Sequence, residues 1–428
     1  MSRIRKFWII FILTLICLVA FGAYRTLNTG KNQDSEFTEY EKQATGTDAG
    51  NKGTEATPTD SSAETEDSSN YVTLVALGQN YMNDSVIHSG MAADGSYNYS
   101  FLFEKLAPYL QKADIAALCT GGLNAGNALG ISGYPVFNAP EEFCAAAVAS
   151  GINTVALANV RINNLGSDAI TSCLNIWKNA SPDMNVLGVH ESAEEPVVIT
   201  EIHGLKIAML DFTAIMEKSM ADDKTYQVDF FGNYQGGAAN LSGLSEKTLA
   251  KLDEAQKSAD FVVVFASWGV DDTTQISAFQ KRIALQLTEA GADLIIGYRT
   301  NQLQTVEWVQ ADNGNRALCY YSLGNFVSSE HAAANLVGGM ATVGIKVENG
   351  LTVIDEEKTG LIPLVMQYAY PGTGEEVSVT ATIPLRDYTD EIAQNHGMKV
   401  KYGKVFDTAT VKGILDAVVS SEWIRDPS

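Results

Sequence analysis

Few of the residues that do chemistry in proteins stand at useful spacings in this chain. Its five histidines (His88, His190, His203, His331 and His396) show no HExxH or HxH pattern and read as surface or loop residues. Ser267 follows an apolar strand-like run, but no G-x-S-x-G turn surrounds it and no motif supplies a histidine, so a serine hydrolase is a poor fit. Gly121, Gly122, Gly126 and Gly130 make a glycine-rich stretch. No Gly-Lys-Ser/Thr follows it, which leaves a loop rather than a phosphate cradle. Asp271 and Asp272, or Asp84 near Gln79, could form a carboxylate pair, although acids in such loops are ordinarily solvated. Cys119, Cys144, Cys173 and Cys319 lack CxxC spacing and read as isolated buried thiols, with a Cys144–Cys173 bridge open as an alternative outside the cell.

The elements that must position these side chains are legible in the hydrophobic pattern. YVTLVALG (71–78), DIAALCT (114–120), NTVALAN (153–159), FVVVFAS (261–267) and ADLIIG (292–297) read as buried strands. SFLFEKLAPYLQ (100–111), PEEFCAAAVASG (140–151) and SAFQKRIALQLTEAG (277–291) read as amphipathic helices, the last two closed by Gly151 and Gly291. This alternation gives parallel strands joined by right-handed crossovers. KIAMLDFT (206–213), TVEWV (305–309), RALCYYSLG (316–324) and MATVGIKVENGLTVIDEE (340–357) look antiparallel, with Glu348-Asn349-Gly350 as a hairpin turn.

Ahead of these elements, Arg3, Arg5 and Lys6 precede an uncharged apolar run from Phe7 to Tyr24, long enough to span a bilayer as a helix. Residues 1–24 are thus expected to be a membrane anchor, with a cleaved signal peptide as the alternative, and both place the rest outside the cytoplasm. Residues 25–70 are acidic, Ser/Thr-rich and poor in large apolar side chains, which predicts a disordered linker reaching roughly 35–40 Å. Residues 71–428 keep 41 acids against 22 bases, a net charge of −19, which disfavours nucleic acid and broad polyanion-binding faces.

The segments LVALGQN (74–80), ALCTGGL (117–123), ALANVRINNLG (156–166), VFASWG (264–269), LIIGYRTNQLQ (294–304) and YYSLGNF (320–326) resemble, in order and spacing, the motifs of the CapA or PGA_cap family. That family is linked to poly-γ-glutamate capsule synthesis and is related to calcineurin-like metallophosphatases. The resemblance runs over residues 71–428, weakly beyond 351, where it implies a C-terminal extension of one domain. It implies an α/β fold: a calcineurin-like α/β/β/α sandwich of two packed mixed sheets. It also implies a two-metal site at the C-terminal ends of the strands, and here this chain departs from the pattern. Where members similar to it carry an Asp, it has Gln79, and a Glu position is Gly121. An Asn-His pair has become Asn159-Val160, and the Asp after it Asn163 or Asn164. His-Trp-Gly has become Ser267-Trp268-Gly269, and His-Pro-His has become Arg299-Thr300-Asn301.

Those replacements remove the strong metal ligands, and Arg299 adds a fixed charge that repels a dication. The expectation is therefore no catalytic residue, no metal and no cofactor. A degenerate ligand-binding site would comprise Gln79, Asn80, Asn159, Ser267, Trp268, Arg299, Asn301 and Asn325. Turn capping is the plainer reading for Asn80 and Asn325, and Trp268 fits a pocket wall or the core equally well. Arg299 is expected to pair with an acid of the chain or to floor a carboxylate or phosphate site. The leading function is a membrane-anchored extracytoplasmic component that binds or assembles a surface polymer such as poly-γ-glutamate together with its synthesis machinery. The alternative is an active metal-dependent hydrolase of phosphoesters or γ-glutamyl amides whose ligands are not recognised.

Overall fold

The computed structural model describes residues 70–372 and 376–425. The expected anchor (1–24) lies outside them, as does nearly all of the expected linker. No described helix is long and apolar enough to cross a membrane. Apart from residues 277–279, the described residues form one compact unit that holds the sheets.

The strands in chain order are β1 (Tyr71–Asn80), β2 (Ile115–Thr120), β3 (Thr154–Ala156), β4 (Asn185–Leu187), β5 (Val198–Ile202) and β6 (Leu205–Thr213). There follow a two-residue hairpin, β7 (Tyr234–Gln235) and β8 (Ala238–Ala239), and then β9 (Phe261–Ser267), β10 (Leu294–Tyr298), β11 (Val306–Gln310) and β12 (Arg316–Tyr320). The last are β13 (Asn325–Val327), β14 (Val337–Glu348), β15 (Leu351–Ala369) and β16 (Ser378–Pro384). The first sheet has the order β16-β15-β14-β1-β2-β3-β4, with β13 beside the end of β1, and the second has β11-β12-β10-β9-β6-β5. Parallel pairs run from β1 to β4 and through β6, β9, β10 and β12, while antiparallel strands close the β16 edge of the first sheet and both edges of the second. The result is a mixed α/β fold of two sheets sharing one core. Tyrosines bridge them: Tyr298 Oη donates to the Ala158 carbonyl at 3.1 Å and Tyr320 Oη to that of Gly360 at 2.8 Å.

The central strands are apolar almost throughout because both their faces are covered. All seven residues of β9 and all six of β2 are buried. Asn349 and Gly350 turn the β14–β15 hairpin with φ of +53° and +79°, the left-handed pair that a two-residue loop requires. From residue 351 onward the chain supplies β15 and β16, two strands of the first sheet.

Two expectations need correction. The helix read over 100–111 is two four-residue turns, Ser100–Phe103 and Ala107–Leu110, because the ring of Pro108 would strike the Glu104 carbonyl in a continuous helix. The 206–213 strand is antiparallel only to β5; its other neighbour, β9, is parallel. The cysteines follow their leading reading: Cys119, Cys144, Cys173 and Cys319 are buried free thiols.

Candidate functional site

The site is built where β1 changes partners. As far as Leu77 the strand pairs with β14, and at Gln79 and Asn80 it turns to β13, facing Asn325 and Val327. Gly78 allows this: a Cβ there would overlap the Gly324 carbonyl. The loops after β2, β3, β9 and β10 come to the same end of the sheets, the usual place for a pocket in such folds.

Four of the expected residues meet directly. The Gln79 amide nitrogen donates to Asn301 Oδ1 at 2.6 Å, Asn325 Oδ1 at 3.0 Å and the Arg299 carbonyl at 3.1 Å. Asn301 passes the network on to Asp272 Oδ1 at 3.0 Å, which also accepts from Asn335 at 2.7 Å. Asp272 thus joins the network while staying an exposed loop acid, as expected. Arg299 and Asn301 adopt φ of +100° and +61°, a strained backbone for residues with side chains and one concentrated at functional positions. Arg299 donates through Nη1 to the Gly269 carbonyl, and its Nη2 lies 3.7 Å from Asp271.

Asn80 and Asn159 brace the neighbouring loops instead. Asn80 Oδ1 accepts from the Gly121 amide at 2.8 Å. Asn159 donates to Thr120 and to the Gly122 carbonyl and accepts from the Arg161 amide. Ser267 and Trp268 are fully buried. Trp268 stacks between Phe231 and Tyr321 and donates to the Tyr321 carbonyl, so it belongs to the core and not to a pocket wall. Asp84 caps a turn by accepting from the Gly133 amide.

Three residues join the site without having been anticipated. Arg161 lies over the rings of Tyr81 and Phe137, with centroids 5.3 and 4.6 Å away, and donates to the Gly121 carbonyl. A lone base two residues after Asn159 was the available signal. Burial pushes the Tyr81 hydroxyl up to about 12, helped by the charges of Glu330, Asp271 and Asp272 and opposed by that of Arg161. Asp211, the one acid inside the KIAMLDFT run, is wholly buried beneath the site. It accepts from the Ala158 amide at 2.7 Å and lies 2.9 Å from the Tyr298 hydroxyl, and burial pushes its carboxyl up to about 8.

His190 and His396 also differ from the surface reading. His190 sits between Asp229 and Glu195 with Lys251 alongside, and His396 is buried against the Met366 carbonyl.

The donor set does not fit the two-metal centre of the related fold. Gln79 presents an N–H, not an oxygen, to its neighbours. A Cβ on Gly121 would come to 2.9 Å from the Asn80 carbonyl and 3.3 Å from Gln79 Oε1, leaving no room for a ligand side chain. Among the described residues no group of three His, Cys, Asp or Glu could hold a metal ion.

A family model described as bacterial capsule synthesis protein PGA_cap matches residues 73–330, more than half of the chain. The chain belongs to that family. It is 23% identical over 296 residues to the capsule biosynthesis protein CapA of Bacillus anthracis, covering 64% of each chain. It is 26% identical over 229 residues to the PGA biosynthesis protein CapA of Bacillus subtilis (strain 168), covering 53% of this chain and 54% of that one. The aligned stretches thus span less than two thirds of either relative. Among solved structures, the calcineurin-like phosphoesterase YfkN from Bacillus subtilis matches 81% of this chain and 99% of its own at 11% identity, with a TM-score of 0.37. The TT1561 protein of Thermus thermophilus matches 63% of this chain and 93% of its own at 12% identity, with a TM-score of 0.31. In this PGA_cap family member, Gln79, Arg299 and Asn301 therefore occupy the end of the sheets where the sequence motifs converge.

Proposed function

We propose that this PGA_cap family member works in capsule or surface-polymer biosynthesis as a non-catalytic binding or assembly component, held at the membrane by its N-terminal apolar run with the folded part outside the cytoplasm. Its polymer is poly-γ-glutamate or a similar anionic chain, and its protein partners are the machinery that makes that polymer. The capsule role is supported by family membership and by the CapA relatives. The non-catalytic reading is carried by one observation: the amide nitrogen of Gln79 is committed to Asn301, Asn325 and the Arg299 carbonyl, so the centre of the site is held by amide and carbonyl groups bonded to one another.

A two-metal hydrolase needs anionic oxygens and imidazoles that hold cations and activate a water between them. A bound ion would also stabilise the native state by mass action, commonly by several kcal/mol near saturation. On this reading, EDTA leaves the melting temperature of the full-length chain unchanged. Added manganese or zinc produces neither a thermal shift nor hydrolysis of a phosphoester or γ-glutamyl amide. A drop in melting temperature on chelation, reversed by either ion, would restore the hydrolase alternative.

A further inference from the structure

We infer that Arg161 and Arg299 form a two-guanidinium site for one oxyanion, a carboxylate or a phosphate, and that Glu217 and Asp271 are placeholder carboxylates holding those guanidiniums in the free protein. The inference rests on the binding reading above and names the chemistry of its ligand. Each arginine carries five N–H donors. Among the described residues each donates one hydrogen bond, Arg161 to the Gly121 carbonyl and Arg299 to that of Gly269. The Nε of both is buried without a hydrogen-bond partner. Arg161 Nε does approach Glu217 Oε1 to 3.1 Å, but its N–H is not aimed at that oxygen. A buried Nε without a partner on each of two recessed cations is costly unless something else satisfies it.

The partners differ in freedom. The arginine side chains are 9% and 8% exposed, while those of Glu217 and Asp271 are 42% and 41% exposed. Arg161 is fixed by the Tyr81 and Phe137 rings, and Arg299 by its left-handed backbone and the Gln79 bond to its carbonyl. The acids can therefore swing into water and the guanidiniums cannot. An incoming oxyanion would exchange one carboxylate for another without burying new charge, and a guanidinium fork matches its two oxygens. Gly121 ties the two sides together, since its carbonyl holds Arg161 while its amide holds Asn80, next to Gln79.

The test is calorimetric titration of the full-length chain with inorganic phosphate and, separately, glutarate, in the presence of EDTA. Glu217→Gln and Asp271→Asn are expected to tighten binding of at least one anion several-fold. Arg161→Gln or Arg299→Gln should weaken it by about tenfold, with Arg→Lys giving little rescue at a forked contact. Circular dichroism of each variant checks that the fold persists. The relative response to phosphate and glutarate assigns the ligand to a phosphoryl or a carboxylate source. The inference is overturned if neither anion binds wild type or the two acid-to-amide variants, or if those amide variants bind no more tightly than wild type. Poly-γ-glutamate binding that is indifferent to both arginines would overturn it while leaving the proposed function standing. Anion binding through the arginines without polymer binding would do the reverse.

Discussion

Asp211 shows how one buried group can set a property of the whole site. Its two oxygens face the Ala158 amide and the Tyr298 hydroxyl, with no cation beside them, and burial pushes its carboxyl up to about 8. Tyr298 donates to Asp211 Oδ1 and Ala158 N–H to its other oxygen; protonating the carboxyl lets its O–H donate to Tyr298 instead, which frees the tyrosine proton for the Ala158 carbonyl. Because the folded protein binds this proton more tightly than the unfolded chain, the group's contribution to stability is fully present below about pH 4. It is lost as pH rises to about 8, at up to about 1.4 kcal/mol per pH unit. Asparagine copies the neutral acid's donors and acceptors. Asp211→Asn should therefore fold normally and flatten the decline in melting temperature between pH 5 and 8. A variant that declines as steeply as wild type would show that the carboxylate is not the source.

At the level of elements, the pieces that pack around the site depend on a second buried acid in the opposite state. Burial alone would raise Asp229, but the hydrogen bond and charge of His190, with Lys251 and Lys247, overcome that and hold it at about 2. The cluster joins the segment after β4, the segment after β6 and the helix Glu246–Ser258. Its depressed value means that the stabilisation is present above about pH 4 and is lost as pH falls through about 2. Asp229→Asn should cost about 3 kcal/mol in urea unfolding at pH 7, with a much smaller cost near pH 2. An equal cost at both pH values would point to lost packing instead. Elements with long apolar runs were legible beforehand: β9 matches the read segment residue for residue. The helix Glu246–Ser258 was not, because its stripe of Thr248, Leu252 and Ala255, though at helical spacing, is narrow and set in a strongly polar run. The replaced positions Gln79, Arg299 and Asn301 could be found from motif spacing. Arg161 and Asp211 could not, because the partners that define them come from distant segments.

For the molecule as a whole, the net charge of −19 over residues 71–428 sets the terms of any encounter with an anionic polymer. Long-range repulsion acts over the screening length, about 30 Å at 0.01 M salt and 8 Å at 0.15 M, whereas the attraction of buried guanidiniums is local and less screened. Capture of poly-γ-glutamate should therefore become faster as salt rises from 10 to 150 mM, the reverse of the trend for a basic polyanion binder. Surface-plasmon measurements of the association rate across that range would decide it. A rate that falls throughout would mean that an exposed basic face, and not the recessed arginine pair, governs recognition.

The amide network around Gln79 also makes its members replaceable only together. A carboxylate at 79 would set an oxygen against three acceptors now 2.6 to 3.1 Å away: Asn301 Oδ1, Asn325 Oδ1 and the Arg299 carbonyl. Turning the Asn301 amide over would only transfer the conflict, because its nitrogen is needed by Asp272. Restoring a side chain at Gly121 would push on the Asn80 carbonyl and on residue 79 together. An acidic side chain at either position is therefore opposed until its neighbours change with it, so the network is exchanged as a set rather than residue by residue.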